Sequence, residues 1–385
     1  MDTLLSALSA DQEQMKSWRH HMHRHPEIAF DEHNTAGYIA ELLRGWGYEV
    51  TEGIGKTGLV ARMKCGDGTK SIGLRADTDA LAVQEMIEGE HKSTVEGKSH
   101  TCGHDGHSAM LLGAAQYLAR TRAFNGTVNL IFQPAEEIMG GAVAMIKDGL
   151  FERFPMDAVF GMHNMPTLER GKLYFTGGPV MAAVDNWEIV LTGKGSHGSM
   201  PEKSIDPVVA GASLVMALQT IVSRNVAPKD SAVVSVGAFL AGDAGNVIPQ
   251  TAMLRLSIRS SAPATRKLVL DKVKAITAAQ AAAFDVTFEI REGAPGAVLV
   301  NDPAQTAESA EVAKALLGED QVVMPGPTFM GSEDFAYFAQ QKPGTYCFIG
   351  NGDTPMVHHP MYDFDDRNLP VGAAYWVAIT QHYLK

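Results

Sequence analysis

The sequence predicts an α/β protein: a larger α/β domain with a central mixed sheet, interrupted by an inserted ferredoxin-like α+β domain. Three observations lead there. At 385 residues the chain exceeds one core of ordinary size. Over residues 58–163, short apolar runs alternate with segments of helical spacing, as in a sheet covered by helices. Over 186–291 the order becomes strand, helix, two strands, helix, strand, the βαββαβ arrangement.

Taken in order, apolar spacing predicts helices over 4–25, stopped near Pro26, and over 34–46, closed by Gly45 and Gly47. Strands are expected over 58–63 and 71–75, and a helix rich in Ala, Leu and Met over 107–119. Residues 127–132 and 157–163 read as strands, with a helix over 141–147 between them. In the insertion, 186–191 alternates like a half-buried strand, and 206–224 is helical with Pro207 in its first turn. Residues 232–240 and 252–259 are β-rich, 264–283 is helical and 285–291 strand-like. Beyond Gly293 the α/β pattern returns, with helices over 303–317 and 369–383 and a strand over 345–349. The expected division is 1–178 with 294–385 for the larger domain and 179–293 for the insertion.

Composition narrows the partners. A net charge of −12 argues against a general nucleic-acid or anionic-membrane binder. No unbroken run of about 18 apolar residues occurs, so no membrane span is expected. Residues 1–14 lack a basic start before an apolar stretch, so no secretory signal is expected. Three cysteines cannot make a disulfide framework, and a reducing cytoplasm is the expected setting.

The chemistry is concentrated in a few short stretches. Glu136 and Glu137 follow a strand-like run. Cys102-Gly103-His104-Asp105 stands upstream, and His163 and His358-His359 stand downstream. Thiolate, imidazole and carboxylate are the groups that hold divalent transition metals. A second carboxylate beside a ligand is what an activated water needs as proton acceptor. One thiolate, three imidazoles and one or two carboxylates exceed what a single tetrahedral ion takes. Two ions about 3.5–4 Å apart, bridged by Cys102, fit better. An acidic pair is also what a solvated helix start carries, and a lone Cys-x-His or strand-end His also arises without a metal. Gly53-Ile54-Gly55-Lys56-Thr57-Gly58 precedes a strand rather than opening a helix, so it reads as a turn. His20, His21, His23 and His25 follow the spacing of an exposed helix end.

Arg75-Ala76-Asp77-Thr78-Asp79-Ala80-Leu81, Cys102-Gly103-His104-Asp105-Gly106-His107, Gln133-Pro134-Ala135-Glu136-Glu137, Gly161-Met162-His163 and His358-His359-Pro360 stand in that order. His23-Arg24-His25-Pro26-Glu27 precedes them, Gly331-Ser332-Glu333-Asp334-Phe335 lies between His163 and His358, and Tyr362-Asp363-Phe364 ends the series. Across essentially its whole length the chain resembles the M20 metallopeptidase superfamily, in its amidohydrolase branch of hippurate, N-acyl-amino-acid and auxin-conjugate hydrolases. The resemblance implies two divalent ions per subunit (Zn, Mn, Ni or Co), held by Cys102, His104, Glu137, His163 and His358. It selects His358 over His359 and implies that Glu136 is the general acid/base. Asp79 then orients its neighbours, and Asp77 sits where other branches have a ligand histidine. By the same resemblance His197 is the oxyanion donor of a lid domain, and Asn246 and Arg259 match positions that contact substrate; Gly331, before Ser332-Glu333-Asp334, is expected to offer backbone N–H groups to it. Arg259 would suit the free carboxylate of an N-acyl amino acid, or serve the fold. The implied reaction is metal-dependent hydrolysis of the N-acyl amide, by a homodimer formed through the lid domain. A dinuclear dipeptidase or carboxypeptidase of the same superfamily is the alternative, and a non-catalytic binding protein a more distant one.

Overall fold

The computed structural model describes residues 2–385, which fall into two compact units. One comprises residues 2–178, Val300–Pro327 and Asp334–Lys385. The other comprises Pro179–Leu299 and Thr328–Glu333.

In the first unit, eight strands make one mixed sheet. Their order is Glu49–Ile54, Gly58–Cys65, Gly126–Gln133, Ser71–Asp77, Ala158–Pro166, Gly344–Gly352, Leu173–Tyr174 and Val322–Val323. The third to the sixth of these are parallel to one another and almost wholly buried, as parallel strands covered on both faces must be. Their carboxyl ends therefore share one edge of the sheet, where α/β proteins gather their ligands. Asp77 and Asp79, Glu136 and Glu137, His163, and the His358 loop all emerge at that edge. Leu74, Leu130 and Phe160 of the strands join Leu111, Ala115 and Trp376 of the helices His104–Thr121 and Leu369–Tyr383 in one apolar cluster. Burial of side chains this large stabilises by about 1.5–3 kcal/mol each.

Two local readings change. The expected helix over 4–25 is two helices, Asp2–Ala10 and Gln12–Arg24. Asp11 separates them, its carbonyl accepting from Gln14 N and Met15 N to start the second. The run containing Gly53 and Gly55 is the end of an edge strand, Glu49–Ile54, and its turn into Gly58–Cys65. That strand carries no apolar alternation because it lies at the sheet's margin.

In the second unit, four antiparallel strands lie in the order Ala232–Leu240, Thr251–Ser260, Ala183–Thr192 and Thr287–Glu292. This is the ferredoxin-like order. Asp206 caps the helix Pro207–Leu218, accepting from Val208 N and Val209 N. Trp187, Ile189, Leu254 and Leu256 pack against Leu214 and Leu218 of that helix and Val269 and Val273 of Pro263–Ala283. The expected helix over 206–224 breaks at Gln219, giving Pro207–Leu218 and Thr220–Asn225.

The expected boundary at 294 also moves. Gly293 N bonds Asn186 O and Gly296 N bonds Asp185 Oδ1, holding this stretch on the second unit as far as Leu299. Thr328–Glu333 belongs there too, because Phe329 N bonds Val180 O and Ala182 N bonds Gly331 O. Gly331 is therefore part of the insertion's unit.

Candidate active site

The Cys102 loop is shaped by Gly103, which has a φ of 90° and caps the helix His104–Thr121. A Cβ there would lie 2.3 Å from Asn164 Nδ2 and 2.5 Å from Tyr362 Oη, so no side chain fits. His104 opens the helix fully buried. Its Nδ1 lies 2.9 Å from Asp79 O and 3.2 Å from Asp79 Oδ1. Those acceptors hold the proton on Nδ1 and turn Nε2 inward. The other Asp79 oxygen accepts from Glu137 N at 3.0 Å. Asp79 thus ties His104 and Glu137 together and presents no oxygen of its own to the site.

Glu136 and Glu137 are not a solvated helix start. The next helix begins only at Gly141, and Glu136 is 6% exposed. Ala135 before them has a φ of 52°, unusual for a residue with a side chain, and its N–H bonds the buried Glu32 Oε1 at 2.9 Å. His358 also has a positive φ, 69°, and its N–H bonds Thr101 O at 2.6 Å. Backbone held this way costs on the order of 1–3 kcal/mol per residue and is concentrated at functional sites.

The side chains converge. Cys102 Sγ is 3.4 Å from His163 Nε2, and His358 Nε2 is 3.3 Å from Glu137 Oε1. His104 Nε2 is 3.9 Å from Glu137 Oε1. Within 4.8 Å of one another lie the donors of Cys102, His104 and His163, those of Cys102, Glu137 and His358, and those of His104, Glu136 and Glu137. Cys102 belongs to two of these groups. His359 stands apart, its Nδ1 accepting from Met361 N.

The electrostatics describe a site rich in negative charge. Burial alone would depress His104, yet Asp77, Asp79 and Glu137 outweigh it and raise its pKa to about 10. Burial, then Glu137 and Glu136, push the Cys102 thiol well above its ordinary value. Burial, then His107, hold His163 well down. Burial would raise Glu137, but His358 and His104 bring it below the usual carboxylate value. His104 Nε2 is buried without a hydrogen bond, and buried Glu137 Oε1 has only the ion pair to His358 Nε2 at 3.3 Å. Buried donors of this kind, facing one another beside a thiol, are what a cation satisfies. The residues present fit divalent metal ions.

Both oxygens of Asp77 are already engaged, although it stands with His104 and His107 in a further group of donors. Its Oδ2 accepts from Arg75 Nη1 at 2.7 Å and its Oδ1 from His107 Nδ1 at 2.6 Å. His107, Asn164 and Tyr362 form the next layer. His107 and Tyr362 stand inside the quoted motifs and Asn164 directly follows one, but only spatial contacts reveal what they do. His23 corrects the reading of an exposed histidine cluster. It is fully buried, with Nδ1 at 2.8 Å from Asp105 Oδ2 and Nε2 at 2.6 Å from Glu85 Oε1. Burial lowers its pKa, but Asp105 and Glu85 more than compensate and raise it to about 9. Its charge therefore stabilises the fold fully below its unfolded pKa of about 6.5, and that contribution is lost as pH rises through 9. The difference in unfolding free energy between the native protein and His23→Gln is expected to shrink by on the order of 3 kcal/mol between about pH 6 and pH 9.5. Denaturant melts at the two pH values measure it.

The remaining candidates lie in the second unit. His197 and Asn246 sit on one small ribbon, where Val247 pairs with His197 and Gly198 N bonds Asn246 O at 2.7 Å. His197 is exposed. Its Nδ1 accepts from Ser199 N at 3.2 Å, which leaves the proton on Nε2. Elsewhere in the unit, Arg259 Nη1 donates to Met330 O at 2.8 Å and lies 3.3 Å from Ser332 Oγ, flanking Gly331.

Comparison with known proteins agrees with this chemistry. The model of peptidase family M20/M25/M40 matches residues 73–382. The chain is 46% identical over 367 residues to hippurate hydrolase of Campylobacter jejuni, covering 95% of this chain and 96% of that protein. It is 36% identical over 372 residues to an N-acetyl-L-cysteine deacetylase of Bacillus subtilis, covering 96% and 88%. The crystal structure of the Bacillus subtilis YXEP protein, a dinuclear metal-binding peptidase of family M20, superposes with a TM-score of 0.86. It is 33% identical and covers 98% of this chain and 99% of its own.

Proposed function

This chain belongs to peptidase family M20/M25/M40, and we propose that it hydrolyses the amide bond of N-acyl amino acids with two divalent cations. Cys102, His104 and His163 would hold one ion, and Cys102, Glu137 and His358 the other. The observation that carries this reading is the sharing of the Cys102 sulfur by two donor groups beside Glu136. The mixed sulfur, nitrogen and oxygen set suits Zn, Mn, Ni or Co. When bound, such ions polarise the substrate carbonyl and acidify water.

Glu136 accepts a proton from the attacking water as its oxygen bonds to the carbonyl carbon. It returns that proton to the nitrogen as the C–N bond breaks, leaving a carboxylic acid and a free amino acid. Asp79 keeps His104 Nε2 and the Glu137 backbone in place. His197 donates through Nε2 to the oxyanion, and Arg259 receives the substrate carboxylate by forked hydrogen bonds. Asn246 and the backbone of Gly331 complete the substrate contacts. Similarity to the hippurate hydrolase supports an aromatic acyl group. A panel of hippurate, N-acetyl amino acids and dipeptides, assayed on metal-reconstituted protein, tests the reading. Release of amino acid from the acylated compounds supports it, whereas cleavage of dipeptides alone favours a dinuclear dipeptidase or carboxypeptidase.

The protein is further proposed to work as a homodimer through the second unit. The strand Ala232–Leu240 is a sheet edge. Beside it, the helix Pro207–Leu218 turns Val209 and Met216 outward, and Phe239 and Leu240 are also exposed. An apolar helix face next to an unpaired edge is suited to pairing with its own copy. Met216, 71% exposed, is a point of attack. Met216→Lys is expected to shift the sedimentation mass from two chains to one at micromolar concentration, without altering the melting of the fold.

A further inference from the structure

We propose that Asn164 and Tyr362 form a positioning clamp that sets how the two donor groups share Cys102; the proposal rests on reading Cys102, His163 and His358 as ligands. Both side chains are fully buried, and neither enters the reaction described above. Asn164 follows His163 directly on its strand. Its Nδ2 donates to Cys102 O at 2.7 Å, and Tyr362 Oη donates to its Oδ1 at 2.5 Å. Tyr362 N in turn bonds His359 O at 2.8 Å, next to His358. One amide therefore touches the segments that carry Cys102, His163 and His358.

The orientation of that amide is forced. Arg75 can only donate, so Asp77 accepts from it and also from His107 Nδ1. His107 Nε2 is then an acceptor, and it receives Asn164 N at 3.0 Å. Asn164 Nδ2 gives one hydrogen to Cys102 O, and its other, 3.0 Å from His107 Nε2, shares that nitrogen's single lone pair with Asn164 N. Oδ1 is left to accept, and Tyr362 supplies the donor. Donation runs from Tyr362 through Asn164 and His107 to Asp77, which also accepts from Arg75 on its other oxygen, so reversing the amide would set its NH₂ against the phenol and leave Cys102 O facing oxygen. Gly103 leaves the space that the clamp fills, since a Cβ there would meet both members.

Such outer contacts typically change metal affinity by about 10–100-fold. Tyr362→Phe removes only the donor, and Asn164→Asp keeps the shape but loses both Nδ2 donations. Each would be melted as metal-free protein, then titrated with Co²⁺ while the thiolate-to-cobalt absorption is followed and bound metal is counted by mass spectrometry. The expected result is apoprotein that melts cooperatively, a first ion bound much as in the native protein, and a second bound at least about 10-fold more weakly with an altered thiolate band. Two ions bound with native affinity and spectrum would overturn the clamp. So would a variant that fails to fold without metal, because the pair would then serve the fold itself. Native protein that binds no cobalt would instead overturn the ligand reading, and the clamp with it.

Discussion

Replacing Glu136 with Gln is expected to lower turnover of N-acyl amino acids by about 10²–10⁴-fold or more while leaving two ions bound. The substitution preserves volume and removes only the capacity to take a proton. Glu136 is held in the turn between Gln133 and Gly141, where Met139 N bonds its carbonyl at 2.7 Å and Glu32 anchors Ala135. The neighbouring Glu137 keeps its backbone bond to Asp79. Loss of activity with loss of metal would make Glu136 a ligand, and retained activity would remove it from the mechanism. Rate of glycine release and metal content, measured on the same sample, separate these results.

Cys102→Ala is expected to have the other large effect, because the sulfur belongs to two donor groups at once. On the proposed assignment its removal would take a donor from both ions and should weaken both by more than the roughly 100-fold that outer contacts command. Activity should fall to background. His358→Ala touches only one of the two groups and should release one ion while the other stays. Calorimetric titration of the two variants distinguishes a shared sulfur from an ordinary ligand. Equal losses in Cys102→Ala and His358→Ala would refute the sharing.

Much of this architecture was legible in the chain because local pattern and tertiary placement agree. The helices Gly141–Lys147, Pro303–Leu317 and Leu369–Tyr383 follow from apolar spacing and from proline near the starts of the latter two. The parallel strands are continuous apolar runs because both faces are covered. The metal-type residues stood out because thiolate, imidazole and adjacent carboxylates are uncommon together just after strands. What was hidden depends on contacts between distant residues. Arg75 reaches Asp334, 259 positions away, at 3.3 Å, and Tyr362 reaches Asn164 across 198. His23 looked exposed because its neighbours on the helix are polar, and only the packing of Asp105 and Glu85 against it shows otherwise. The return of the chain from the insertion lies later than the pattern beyond Gly293 suggests, because the N–H groups of Gly293 and Gly296 bind back to Asn186 and Asp185, contacts that local pattern does not show.

The most direct measurement is the release of free glycine from hippurate as Mn²⁺ is added stepwise to metal-free protein. Activity absent at the start and rising to a plateau near two equivalents per chain is the predicted result. Glycine release that is already complete in chelator, or that never appears at any metal content, would contradict a two-cation site built around Cys102.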